Sequence, residues 1–218
     1  MGYRWGASSM ASALFLHGGG GASSVRTAYL CDRLMAAGLG SIAIDHTGHG
    51  ATGGQLDGQS LANRMDEARA AVSQTMAGQP NVIIGSSMGG HIAIRLAAEY
   101  SVRKLVLFCP AIYGAGTERL AFGPNFQAAI RRSRSYLTSP ALDDLMAFGG
   151  ETLLIAGDED EVIPRAVIEA ITGAARHIQT VALSGVGHPI HTCAAIHSAL
   201  RDRIETAFID FVQAPSSH

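Results

Sequence analysis

The segment Gly85-Ser86-Ser87-Met88-Gly89-Gly90 sets a serine between glycines. It directly follows the apolar run Val82-Ile83-Ile84 and precedes a helix-period stretch. The chemistry this suits is nucleophilic attack by a hydroxyl. A tight turn from strand to helix pushes the Ser87 side chain outward, and side chains at the flanking positions would collide with the neighbouring strand and helix. The helix start then aims its first amides at any negative charge forming near the hydroxyl. Ser87 is the candidate nucleophile and Ser86 the runner-up, since Ser86 lacks the central place between the glycines. The plain alternative is a Gly/Ser loop that only packs a helix on a sheet.

A serine hydroxyl is a poor nucleophile until a base takes its proton. His188, in Gly185-Val186-Gly187-His188-Pro189, lies in a loop just beyond an apolar run, where an imidazole can swing over the strand ends. Its neighbour His191 is the alternative, expected as a surface or cap residue opening the next helix. The base needs a carboxylate to fix its tautomer. Asp158 and Asp160 are both candidates within Gly157-Asp158-Glu159-Asp160-Glu161, although four acids in a row also suit a solvated turn.

The run His17-Gly18-Gly19-Gly20-Gly21 follows another apolar strand. Glycines let backbone N–H groups approach a developing oxyanion, and Gly19 with Met88 are the candidate donors. The run fits neither of the glycine patterns that hold nucleotide phosphates. Asp45, His46 and His49 share a loop but lack metal-ligand spacing, so a structural or rim role and no metal site are expected. His91 reads as packed or partly exposed. Arg131, Arg132 and Arg134 read as a solvated face, with contact to a carboxylate or phosphate as the alternative. Cys109 sits at a strand end with no activating neighbour in sequence.

These residues must be positioned by the elements between them. Candidate strands are 13–17, 41–45, 81–85, 104–109, 152–156 and 179–183, nearly continuous in Val, Ile, Leu and Phe, as strands covered on both faces are. Candidate helices are 60–76, with Leu61, Met65, Ala68, Val72 and Met76 on one stripe; 89–100; one opened by Pro164 and running to about 173; and 194–212, repeating Ile196, Leu200, Ile204, Phe208 and Val212. The alternation predicts an α/β fold with a doubly wound, mostly parallel sheet of about six strands. Residues 113–150 break the rhythm. With an amphipathic stretch at 124–137, they are expected as a small helical cap inserted into a single domain spanning 1–218. Ligands of such sheets bind beyond the carboxyl ends of the strands, which an insertion there would overhang.

Bulk properties narrow the function classes. A net charge of −2 with no basic stretch argues against a nucleic-acid partner. No apolar run of about 20 residues suggests a membrane span, and the N-terminal apolar stretch is too short for a signal peptide. Three widely spaced cysteines suggest reduced thiols and a cytoplasmic setting.

Together the motifs resemble the α/β-hydrolase superfamily, from Leu14 to Val212. The matching pieces are His17-Gly18-Gly19-Gly20, Asp45-His46-Thr47-Gly48-His49-Gly50, the turn at Ser87, Gly157 to Pro164, and Gly187-His188. In such proteins the catalytic acid sits in a G-x-x-D-x-x-V/I-P setting, and the resemblance therefore favours Asp160 over Asp158. It implies acyl transfer from a small-to-medium carboxylic ester or thioester to water, without a cofactor. An acyltransferase or perhydrolase using the same site, and a non-catalytic binding protein of the same fold, are the alternatives. The family's leading antiparallel hairpin is expected to be shortened or missing.

Overall fold

The computed structural model describes residues 2–5, 11–76 and 79–215. Seven strands form one sheet: β1 (Gly2–Trp5), β2 (Ala11–Leu16), β3 (Gly40–Ile44), β4 (Val82–Ser86), β5 (Lys104–Phe108), β6 (Glu151–Gly157) and β7 (Ile178–Leu183). Their order across the sheet is β1-β3-β2-β4-β5-β6-β7. β2 to β7 are parallel, and β1 runs antiparallel to β3 at the edge. An antiparallel strand ahead of the parallel ones is therefore present, as β1.

Strands β2 to β6 are apolar on both faces because helices cover both, whereas the edge strand β7, expected to be covered likewise, leaves Gln179, Thr180 and Ala182 exposed. On one face Leu14, Leu16, Ile83, Leu105 and Leu107 pack beneath α2 (Leu61–Thr75), α3 (Met88–Glu99), α5 (Pro140–Ala147) and α6 (Arg165–Ala174). On the other, Ala13, Phe15, Ile84, Val106 and Phe108 meet α1 (Ala28–Ala36) and α8 (Ser198–Gln213). Successive strand residues point to opposite faces, which is why each run feeds two separate cores.

Local signals set the helix ends. Ser60 caps α2 by accepting the Asn63 N–H, and Leu61, Met65, Ala68 and Val72 are buried along it as the stripe requires. Pro164 precedes α6, which buries Val167 and Ile171. Two expectations differ from the structure. The 194–212 helix is two, α7 (Ile190–Ile196) and α8, broken at His197. Ile196 consequently leaves the stripe and is 73% exposed. The 124–137 stretch is helical only over α4 (Pro124–Ile130), followed by a 3-10 turn at Ser135–Thr138. Within residues 113–150, α5 packs against α3 and α6, and Phe126 of α4 packs on Tyr113 and Phe122.

The chain leaves β2 toward β3 on one side and returns to β4 on the other. The loops after β2 and β4 therefore part at this point, opening a crevice at the carboxyl ends. His17, Ser87, Cys109, Asp160 and His188 all follow strand ends there.

Candidate active site

The turn after β4 explains its glycines. A Cβ on Gly85 would lie 2.3 Å from the Gly89 carbonyl oxygen, and one on Gly89 would lie 2.2 Å from that of Leu16. Ser87 itself holds φ 51° and ψ −118°, a conformation that side-chain-bearing residues rarely adopt. Three backbone bonds fix it: Ser87 N–H donates to Phe108 O at 2.9 Å, and Ser87 O accepts from Gly90 and Ala111 N–H, each at 2.9 Å.

His188 Nε2 lies 3.0 Å from Ser87 Oγ, and its Nδ1 lies 2.8 Å from Asp160 Oδ2. The ionised carboxylate accepts, so Nδ1 carries the proton and Nε2 is left to receive one from the serine. The other oxygen of Asp160 accepts from the N–H groups of Val162 at 2.8 Å and Ile163 at 2.9 Å. Burial pushes the Asp160 carboxyl up, but the Ile163 and Val162 amides with His188 outweigh it, and the group stays below the usual carboxylate range. Asp158 is exposed and accepts instead from Gly185 N–H at 2.8 Å, holding the turn ahead of His188. A Cβ on Gly157 would sit 1.9 Å from Val186 O, so the loop carrying His188 can lie directly on this glycine.

The loop after β2 faces Ser87. A Cβ on Gly18 would meet Ser87 Cβ at 3.1 Å, and one on Gly19 would meet Met88 Cε at 3.1 Å. The His46 N–H donates to His17 Nε2 at 3.1 Å, which leaves the proton on Nδ1 to donate to Gly18 O at 2.7 Å. Burial, then the neighbouring His46, keeps His17 neutral, with its pKa lowered to about 3. Arg64 Nη1 also donates to Gly18 O, at 3.2 Å. In a trans peptide the N–H points opposite to the preceding C=O. With Gly18 O held inward, the Gly19 N–H is turned away from Arg64. Among the described residues neither Gly19 N–H nor Met88 N–H donates to a protein acceptor.

Arg64 is 2% exposed, and sequence reading left it unmarked on the polar side of α2. Its Nη1 also lies 3.2 Å from Met88 Sδ, its Nη2 reaches the His49 ring, and it stacks 4.9 Å over Phe122. Three loops and the start of α3 meet on it, and no local signal foretells that.

His191 is a correction to the expected surface role. It is buried, with Nε2 2.8 Å from Ser86 Oγ and Nδ1 3.0 Å from Tyr29 OH. Neither of its ring nitrogens is hydrogen-bonded to Ser87. His46 pairs with Glu67 at 2.7 Å and His49 with Arg64, while Asp45 accepts from Ser24 and Ala51 N–H. His91 is fully buried against Glu118 and Tyr113. Arg131, Arg132 and Arg134 are exposed and do not line the pocket at Ser87.

Cys109 lies close enough to Asp160 and His188 for the three to share a metal ion. Both ring nitrogens of His188 are committed to Asp160 and Ser87, and burial holds the Cys109 thiol up at about 12. The residues do not fit a metal centre without breaking that chain of hydrogen bonds.

A family model described as serine aminopeptidase, S33, matches residues 8–139, which hold Gly19, Ser87 and Met88 but not Asp160 or His188. An uncharacterized protein of Mycobacterium tuberculosis is 29% identical over 183 residues, covering 80% of this chain; the chain spans 62% of that relative's length. An esterase of the same species is 37% identical over 97 residues, covering 44% of this chain and 30% of the esterase. Among solved structures, an esterase from Exiguobacterium antarcticum superposes with a TM-score of 0.73 at 17% identity, covering 98% of this chain and 96% of that one. Among the described residues, no helix is long and apolar enough to cross a membrane. By its sheet order, its glycine-bound serine turn and the match over residues 8–139, the chain belongs to the S33 serine aminopeptidase family of α/β hydrolases.

Proposed function

We propose that the protein is a serine hydrolase that cleaves a small-to-medium carboxylic ester or thioester in two steps. The observation that carries this reading is the continuous chain Asp160–His188–Ser87, with bonds of 2.8 and 3.0 Å. Ser87 Oγ attacks the substrate carbonyl while its proton passes to His188 Nε2. The oxygen that gains the charge faces Gly19 N–H and Met88 N–H. As the tetrahedral centre collapses, His188 returns the proton to the leaving alcohol or thiol, and an acyl-serine remains. Water, deprotonated by the same nitrogen, then releases the acid.

The substrate is a small molecule, and neither nucleic acid nor membrane takes part. In this reading residues 113–150 flank the site on the side of Arg64, on which Phe122 stacks, and none of them lines the pocket beside Ser87. A cytoplasmic setting belongs to the same reading, in accord with free thiols at Cys31, Cys109 and Cys193. The decisive experiment pairs a fluorophosphonate probe with short p-nitrophenyl esters. Labelling and turnover are both expected, and both vanish in Ser87→Ala. Well-folded protein that takes no label would point to a binding module instead.

A further inference from the structure

The pocket beside Ser87 has a volume of about 130 Å³. No carboxylate side chain lines it among the described residues. One cationic residue does, Arg26, which is itself exposed to solvent. Its Nη2 donates to Gly21 O at 2.9 Å, and it makes no ion pair among the described residues.

A second feature of the wall is a directed chain of hydrogen bonds. Burial pushes the Tyr29 hydroxyl well above its ordinary pKa, so it keeps its proton. Its partner is His191 Nδ1, at 3.0 Å. Burial, then the charge of Arg26, lowers His191 to about 4, so the ring is neutral and carries one proton. The ring has two arrangements: Nδ1–H donating to Tyr29 OH with Ser86 Oγ–H donating to Nε2, or Tyr29 donating to Nδ1 with Nε2–H donating to Ser86 Oγ at 2.8 Å, and the carboxylate site proposed below uses the second. The Ser86 hydroxyl hydrogen is then free to turn into the pocket. Arg26 and Ser86 thus line the same small space, with no anionic side chain among the described residues to answer them.

We propose that this pocket selects substrates whose bound half ends in a carboxylate, such as a hemi-ester of a short dicarboxylic acid, held by Arg26 and by the Ser86 hydroxyl. The proposal rests on Ser87 being the nucleophile. A carboxylate matches a guanidinium by charge and by the number of acceptor lone pairs, and it accepts from a hydroxyl as well. The short reach of the pocket limits the spacer to a few carbons.

The test compares kcat/KM for p-nitrophenyl hemisuccinate with that for its neutral isostere, p-nitrophenyl 4-methylpentanoate. A second pair sets acetylated 3-hydroxybenzoate against its methyl ester and asks whether the pocket takes the leaving half instead. Wild-type protein is expected to favour the anionic member of one pair by about tenfold or more, the scale of a hydrogen bond to a charged group. Arg26→Gln brings that ratio toward one, Arg26→Lys restores part of it, and Ser86→Ala lowers it by a smaller factor. A substitution that only disturbs the loop lowers both members together and leaves the ratio intact. Turnover of neutral esters with no preference in either pair, or a preference that survives Arg26→Gln, overturns the carboxylate pocket while leaving the hydrolase reading in place. Absence of both probe labelling and ester turnover sinks the two together.

Discussion

The Arg64 guanidinium lies 3.2 Å from the carbonyl oxygen of Gly18, and it is one of two donors that hold that peptide in place. The other is the neutral ring of His17, at 2.7 Å. Between them they determine where the next N–H points. The orientation of Gly19 therefore depends on a side chain forty-odd residues away in sequence that faces away from the pocket.

Arg64→Met tests that dependence. Methionine fills similar volume without the donor, removes the desolvation cost of a buried guanidinium, and leaves Gly18 O its donor from His17. Losing one preorganised oxyanion donor costs about 10²–10³ in rate, and loosening one costs less. The expected result is a fall in kcat of about tenfold to a hundredfold with KM little moved, and a urea midpoint close to wild type. An unchanged kcat would mean that His17 alone is enough to hold the Gly18–Gly19 peptide.

Asp158 and Asp160 separate cleanly by substitution. Asp160 touches His188 Nδ1, whereas Asp158 supports Gly185. Asp160→Asn presents the base with the wrong partner and favours the wrong tautomer, so kcat is expected to fall by about 10³–10⁴. Asp158→Asn keeps an acceptor for the Gly185 amide and should cost less than about tenfold. Steady-state kinetics of the two variants on one ester decides between them, and equal losses would remove the distinction drawn here.

Gly89→Ala probes the packing that shapes the serine turn. The added methyl would lie 2.2 Å from the Leu16 carbonyl oxygen, a backbone atom between a strand and a helix. Overpacking of this kind costs about 1–3 kcal/mol. Thermal unfolding should show the loss, and Ser87 should label more slowly with a fluorophosphonate because the helix start must shift.

Much of this arrangement is legible in the sequence because its causes are local. Continuous apolar runs mark strands buried on both sides, and glycine on both sides of Ser87 marks a turn with no room for a Cβ. Asp160 and His188 could be placed in their loops because each follows such a run. Features made by tertiary contact were not legible. The short helix α1 offers only Leu30, Cys31 and Leu34 to the core, too few to stand out as a period. Ile196 continues the α8 spacing on paper, yet the break at His197 turns it outward. Arg64 and His191 look like surface residues until distant loops close over them. Their burial is what gives each its directed hydrogen bonds, and no neighbour in sequence signals it.

Those buried histidines make a prediction about acid. His17 and His191 have folded-state pKa values lowered to about 3 and about 4, by burial first and then by neighbouring positive groups. In the unfolded chain each returns to its ordinary value of 6.5. Between these limits the unfolded state binds more protons, so stability falls as pH falls. The contribution is whole above about pH 6.5 and is lost progressively toward pH 4 for His191 and pH 3 for His17. From pH 7 to pH 5 each site removes about 2 kcal/mol. His46 and His91, shifted in the same direction by burial, deepen the slope. Urea titrations at pH 7 and pH 5 should therefore give a markedly lower midpoint in acid. His191→Gln, which keeps a donor and an acceptor but does not titrate, should recover about 2 kcal/mol of the difference. Equal midpoints at the two pH values would mean that these rings take up protons without unfolding. The neutral His191 that directs the Ser86 hydroxyl, and the neutral His17 that orients Gly18, would then both be wrong.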